Sequence, residues 1–226
     1  YKAVDFEKYL RSRNKEVKII EQKELLDKID NWNFLKQDKE SIELIELYKT
    51  NSLSIEEFRY SLDDYDDLSF DKGLVFEKNK IKDASEGKNL DDFYFLPKKI
   101  KDKFCLSLSD KIIEKKNIRL PSGSQGLKIF DKKYKIIWGY MNFDRFRYSD
   151  DNIMIDFNNV IISSDKKNEL LFLMMLLNSS INNFIFNFYL KSENEQALCI
   201  GIKTIKEFIR IPKITQNNIF IKEEII

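Results

Sequence analysis

The chain of 226 residues has no histidine, two cysteines, six glycines and three prolines. Without histidine, Ser–His and Cys–His nucleophile pairs and most metal sites are excluded. Cys105 and Cys199 are too few, and too far apart in sequence, to frame a disulfide-stapled fold or close a zinc site. They read as two buried free thiols, which points to a reducing cytoplasm. Scarce glycine rules out phosphate-cradling loops; the nearest candidates, Gly123 and Gly126 in PSGSQG, are not followed by Lys-Ser or Lys-Thr. No strand, Gly-rich turn and helix occur in succession, as a dinucleotide or S-adenosylmethionine fold requires. Too few glycines and prolines are present for a flexible or Pro-rich linker. The apolar run 170–177 is eight residues long, far short of a membrane span, and no signal peptide is visible.

What is present argues for a folded chain. The apolar fraction is 42% and the aromatic fraction 13%, enough to bury the core of one large domain, or of one domain with an appendage. Net charge is +1, but it is unevenly spread. Residues 1–96 carry 17 basic and 23 acidic side chains, residues 97–148 carry 14 and 5, and residues 149–226 carry 8 and 10. The middle third is therefore +9 between two acidic flanks, the footprint of a phosphate-facing surface. The plainer alternative is a solvated basic face that serves solubility alone.

Within that third, PSGSQG presents Ser122, Ser124 and Gln125, side chains able to meet base edges or phosphates. Residues 127–138 alternate, with Ile129, Tyr134, Ile136 and Trp138 set against Lys128, Lys132, Lys133 and Lys135. In MNFDRFRYSDD, Arg145 and Arg147 are interleaved with Phe143, Phe146 and Tyr148. That pattern suits stacking, phosphate contact and guanine reading. The candidate DNA-contacting residues are therefore Lys128, Lys132, Lys133, Arg145, Arg147, Tyr148, Ser122, Ser124 and Gln125. Asp63, Asp64, Asp66, Asp67 and Asp71 form an acidic run that could bind Mg²⁺ in a nuclease. The Glu-x-Lys that such a site needs has only a poorly spaced match at Glu77, so a solvated turn is the simpler reading.

Elsewhere the pattern predicts helices over 41–48 and 55–62, the second with a capping box at Ser54 and Glu57, and strands over 73–76 and 158–162. Residues 169–214 organise the rest. Leu170, Leu173, Met174, Leu177, Ile181, Phe184, Ile185 and Phe188 recur at three- and four-residue steps and predict one long amphipathic helix. Ser164 or Asp165 is placed to cap it, and Glu169 suits its positive end. Asn178 interrupts the apolar run, and its amide is expected to bond a backbone group at the helix–sheet contact, the rival reading being contact with an adenine edge. Residues 209–214 alternate and contain Pro212, the mark of an edge strand.

This stretch resembles the C-terminal specificity domain of TaqI-like DNA adenine methyltransferases and fused restriction–modification enzymes. The resemblance rests on Leu176, Leu177, Asn178 and Ser179, then Phe188, Tyr189 and Leu190, then Ile209, Ile211 and Pro212, in that order. Trp32 and Phe34 in NWNFL resemble, more weakly, the junction at which a methyltransferase domain ends. The Gly-rich segment usual in the family is reduced to Gly73. The resemblance implies an α+β target-recognition domain over 63–226, β-rich, closed by the 170–190 helix and the C-terminal strand. A mostly helical connector over 1–62 would precede it. It also implies double-stranded DNA as partner. Since the chain begins at Tyr1 and has no Asn-Pro-Pro-aromatic loop, S-adenosylmethionine and catalysis are expected in an upstream domain of the same polypeptide. The alternatives are a fragment of a type I specificity subunit, which would show a second recognition domain and long spacer helices, or a nuclease using the acidic run.

Overall fold

A computed structural model describes residues 39–62, 67–87, 89, 92–96, 104–106, 110–118, 126–141, 143–190, 199–220 and 224. Ser122, Ser124, Gln125, Trp32, Phe34, Asp63, Asp64 and Asp66 lie outside the described residues. The chain divides into two units, Tyr1–Leu44 and Ile45–Ile226. The second is an α+β fold and holds all ten described strands.

Its centre is an antiparallel sheet of four strands, β2 (Ser69–Lys72), β9 (Asn159–Ser164), β6 (Tyr134–Gly139) and β7 (Arg147–Ser149), hydrogen-bonded in that order. Ile136 pairs with Ile162, Ile137 with Ile161 and Trp138 with Val160. Successive side chains on a strand point to opposite faces, and here both faces are buried. Ile136, Trp138, Val160 and Ile162 pack in one core cluster, and Ile137 and Ile161 in another. A sheet covered on both sides needs unbroken apolar runs, which is why IIW and VII stand where half-buried strands would alternate with polar residues.

The second cluster is closed by a smaller sheet, β3 (Ile81–Asp83), β5 (Lys111–Ile113), β4 (Phe93–Leu96) and β8 (Ile153–Ile155). Its β4 and β8 run parallel, the remaining pairs antiparallel. Phe93, Ile113, Ile153 and Ile155 from this sheet join Ile137, Ile161 and Phe130. Strand β3 lies in a stretch whose polarity predicts a loop. Residues 127–133, expected to open a strand, instead form a short helix, α3 (Lys128–Asp131), that buries Ile129 and Phe130. The expected strand 73–76 is displaced: β2 ends at Lys72, and beyond it Leu74 makes a single bridge to Asp156.

Helices cover the first cluster. The predicted single helix is two, α4 (Lys167–Leu177) and α5 (Ser180–Leu190), bent by 57°. Glu169 lies in the first turn of α4 as expected, but no side chain caps that helix; Ser164 stands two residues before the N-cap, Lys166, and accepts from that residue's N–H. Leu170, Leu173 and Leu177 are buried in the expected phase. After the break Ile185 and Phe188 are buried as expected, but the buried face is turned so that Phe186 is fully buried and Phe184 only partly. Among the described residues no single helix is long and apolar enough to cross a membrane. The bent pair reaches that length and composition together, but its apolar side chains are part of the core.

The C-terminal edge strand forms as expected. β10 (Arg210–Pro212) pairs antiparallel with β1 (Ser52–Ser54). The helix expected over 41–48 forms as α1 (Lys39–Thr50). The next, α2 (Ile55–Tyr60), carries the predicted capping box, the Ser54 hydroxyl accepting from the Glu57 N–H at 3.2 Å and the Glu57 carboxylate from the Ser54 N–H at 2.6 Å. Ile55 and Phe58 pack with Ile209 and Ile211. Residues 52–62, expected in the connector, therefore belong to the same core as the strands that follow. Both cysteines are free but exposed, not buried as their type suggests. In each case the next residue, Leu106 or Ile200, takes the buried position.

Lys135, expected to face solvent with its neighbours, is 1% exposed. Its ammonium donates to the carbonyls of Lys132 at 2.5 Å and Asp151 at 3.0 Å. Burial lowers its pKa to about 8, with Asp151, Asp131, Asp165 and Asp150 pulling the other way. A lysine depressed in the folded state sheds its proton near pH 8, whereas the unfolded chain keeps it to about 10.4. Between those values the unfolded state binds more protons, so this group's contribution to stability rises with pH. Urea unfolding of the natural chain and of Lys135→Met should therefore diverge, the natural chain gaining up to about 3 kcal/mol on the variant between pH 7 and 10. A constant difference across that range would show that Lys135 is not charged and desolvated in the folded protein.

Candidate nucleic-acid interface

The expected basic residues fall at two places on the central sheet. Lys128, Lys132 and Lys133 gather where α3 leads into β6. Lys128 and Lys133 are exposed, and the Lys133 ammonium stands 5.2 Å from the centre of the Tyr134 ring. Lys132 is turned inward. It donates to the carbonyl of Asp67 and to Ser69 Oγ at 3.0 Å, with the Asp67 carboxylate 3.8 Å away.

Asp67 is itself 7% exposed and accepts from the Ser164 hydroxyl and from the Asp165 N–H at 2.8 Å. It ties the entry of β2 to the exit of β9. Asp71, the other described member of the acidic run, accepts from the Lys72 N–H at 2.7 Å. Among the described residues no group of three potential ligands could hold a metal ion.

Arg147 does not reach solvent. It is 2% exposed, and its guanidinium grips the Asp144 carboxylate through two bonds of 2.6 and 3.0 Å, with a third to the carbonyl of Arg145 at 3.2 Å. Burial works against the charge on Asp144. The bonds and charge of Arg147, helped by Arg145, outweigh it and hold the carboxyl below the usual range. A buried, doubly bonded arginine is a structural element of its loop and not a phosphate contact. Tyr148 is half-buried and stacks on Tyr134 at 6.4 Å. Burial, then Asp150 and Tyr134, push its phenol up to about 12, which keeps it neutral.

Arg145 lies at the other place. In the ladder Arg147 stands opposite Ile137, so Arg145 lies near the Gly139 end of β6 and Lys133 beyond its Tyr134 end, roughly 20 Å away at 3.3 Å per residue. Arg145, Arg147, Lys128 and Lys133, which the +9 segment suggests as one phosphate-facing groove, therefore do not gather. Arg145 stands at the mouth of a cleft of about 350 Å³, lined by Phe104, Phe143, Asn178, Asn183 and Phe186 among others.

The cleft is built by the helix break. Asn178 ends α4, and its side chain engages the Phe146 main chain on both sides. The amide oxygen accepts from the Phe146 N–H at 3.0 Å, and the amide nitrogen donates to the Phe146 carbonyl at 3.1 Å and to that of Met174 at 3.1 Å. The expected bond from this amide to backbone at the helix–sheet contact is thus present. Phe146, fully buried, packs its ring against Trp138 at 5.0 Å and Phe143 at 4.8 Å. The loop 143–146 is therefore fixed from the helix side by Asn178 and from the sheet side by its aromatic rings. On the far side, residues 104–106 run along β7, Leu106 N–H donating to the Tyr148 carbonyl at 2.9 Å and Tyr148 N–H to that of Phe104 at 2.7 Å. This places Phe104 beside Arg145. No sequence signal pointed to Phe104 or Asn183; the first joins the site through non-local pairing and the second through the helix bend.

Asn178→Ala should lower stability by about 1–3 kcal/mol, since it leaves both polar groups of Phe146 unpaired next to the core. Asn178→Asp, which keeps an acceptor for the N–H but supplies no donor to the carbonyl, should be destabilised as well. A thermal melt unchanged in both variants would remove the clamp from the account.

No protein-family model matches the chain, and no curated protein matches it. Among solved structures it is similar to the type I restriction–modification system S subunit from M. genitalium. The likeness has 18% identity and a TM-score of 0.39, and covers 67% of this chain and 33% of that one. The chain thus spans about a third of the length of that protein.

Proposed function

We propose that the chain is a DNA target-recognition domain of a restriction–modification system. At the finer level, it selects the site for an N6-adenine methyltransferase domain carried upstream in the same polypeptide, where S-adenosylmethionine would bind. The observation that carries the proposal is the pair of hydrogen bonds between the Asn178 side chain and the Phe146 main chain. The Leu-Leu-Asn-Ser motif behind the family resemblance is the feature that anchors the Arg- and Phe-containing loop expected to meet DNA. A duplex spanning the roughly 20 Å between the two ends of β6 would meet Arg145 at one end and Lys128 and Lys133 at the other. Exposed lysines position a protein on phosphate, and a fixed side chain in a groove reads sequence. A type I specificity subunit shares this coarser role; a second recognition domain in the same polypeptide would favour it over the methyltransferase reading.

The test is binding of the 226-residue chain to a labelled duplex of about two helical turns over a salt series. Binding should weaken by tenfold or more between 50 and 200 mM salt, the result of displacing several condensed counterions. Selection from a randomised library should return a preferred sequence. Absence of binding at 50 mM salt would refute the proposal.

A further inference from the structure

Resting on the DNA-recognition reading, we infer that Arg145, seated on Phe104 at the mouth of the cleft, is the sequence-determining side chain, and that its ligand is the two-acceptor edge of a guanine. Of the two arginines in the loop, the structure separates the roles. Arg147 is buried and saturates Asp144 with two short bonds. Arg145 approaches the same carboxylate no closer than 3.6 Å, through Nε, and its side chain stays 37% exposed. Among the described residues its guanidinium donates no hydrogen bond, the buried Nε included. Its carbon centre lies 5.4 Å from the centre of the Phe104 ring.

A guanidinium resting on an aromatic face is limited in its rotamers while its outer N–H groups stay unspent. Those parallel donors fit guanine O6 and N7 bidentately. The main chain beneath is fixed as well, since the Asp144 carboxylate accepts from the Arg145 N–H at 2.8 Å and Asn178 pins the next residue. Arg147 is thus a positioning residue. It occupies Asp144, which would otherwise compete for Arg145. The exposed lysines at the far end of β6 have neither an aromatic seat nor a fixed loop beyond Lys133 over Tyr134, and they suit phosphate.

The experiment compares the natural 226-residue chain with Arg145→Ala, Arg145→Lys and Lys128→Ala in selection from a randomised duplex library, with salt-dependent binding and thermal melts of each. Arg145 is a surface side chain, so its variants should melt as the natural chain does. Both should lose at least tenfold preference at one guanine position and keep the remaining preferences; lysine should not rescue, because it lacks the planar fork. Lys128→Ala should weaken binding to all sequences alike and reduce the salt slope. A consensus unchanged at every guanine in Arg145→Ala overturns the inference and leaves the recognition reading intact. So does a uniform loss with a reduced salt slope, which would make Arg145 a phosphate contact. A natural chain that binds without sequence preference, or not at all, overturns both.

Discussion

Replacing Trp138 by alanine should cost about 3–5 kcal/mol, the range for deleting a large aromatic from a packed core. It should also loosen the candidate site. The indole is fully buried in the cluster between the central sheet and α4 and α5. Its Nε1–H donates to the carbonyl of Ile200 at 2.7 Å, so truncation leaves a void and an unpaired buried acceptor together. Ile200 in turn donates its N–H to the Tyr140 carbonyl at 3.0 Å, and this pair of bonds holds the segment entering α6 (Ile202–Phe208) against the end of β6. Because Phe146 rests on the indole, the 143–146 loop loses its sheet-side support. Trp138→Phe isolates the hydrogen bond from the volume and should cost less, about 1–2 kcal/mol for the orphaned carbonyl. Urea unfolding measures both. A Trp138→Ala variant within about 1 kcal/mol of the natural chain would mean that the core does not close around this ring.

Gly73→Ala should be at least as damaging, with a cost above about 3 kcal/mol or no folded product, because the obstacle is main chain. A Cβ at this position would lie 2.0 Å from the Asp156 carbonyl oxygen, 2.4 Å from its carbon and 2.6 Å from the Ile155 oxygen. No rotamer change relieves such contacts. The crossing is tight because Gly73 N–H donates to the Asn159 carbonyl and Leu74 N–H to that of Ile155, each at 2.9 Å. Here the chain passes from the central sheet to the end of β8, so moving it away breaks the link between the two sheets. Gly139→Ala is the control. Its Cβ would meet nothing closer than 3.5 Å, and the change should stay within about 1 kcal/mol. Equal effects of the two substitutions would contradict the close approach at Gly73. Glycine is therefore required at position 73 for a steric reason.

Local features of the fold were legible in the residues themselves. The capping box at Ser54 and Glu57 is written in neighbouring side chains, and so are the apolar phase of Leu170, Leu173 and Leu177 and the edge character implied by Pro212. The α+β class and a helix closing a β-rich middle were what the family resemblance implied, and the fold has both. The bend between α4 and α5 was half-legible: Asn178, Ser179 and Ser180 interrupt the apolar run, and Asn178 was expected to bond a backbone group. Its partner, Phe146, lies 32 residues away and could not be named from the run itself.

Only the tertiary structure decided which charges are free. In sequence, Lys133 and Lys135 are alike, and so are Arg145 and Arg147. Burying both faces of the central sheet places Lys135 inside, where carbonyls from two segments satisfy it, and leaves Lys133 in solvent. A carboxylate three residues earlier turns Arg147 inward, and a phenylalanine brought alongside by non-local pairing holds Arg145 outward. Charge composition is a property of the chain, but the exposure of a given charge depends on which surface packs over it. That surface is supplied by the parallel β4–β8 pairing and the crossing at Gly73, contacts that no local period encodes.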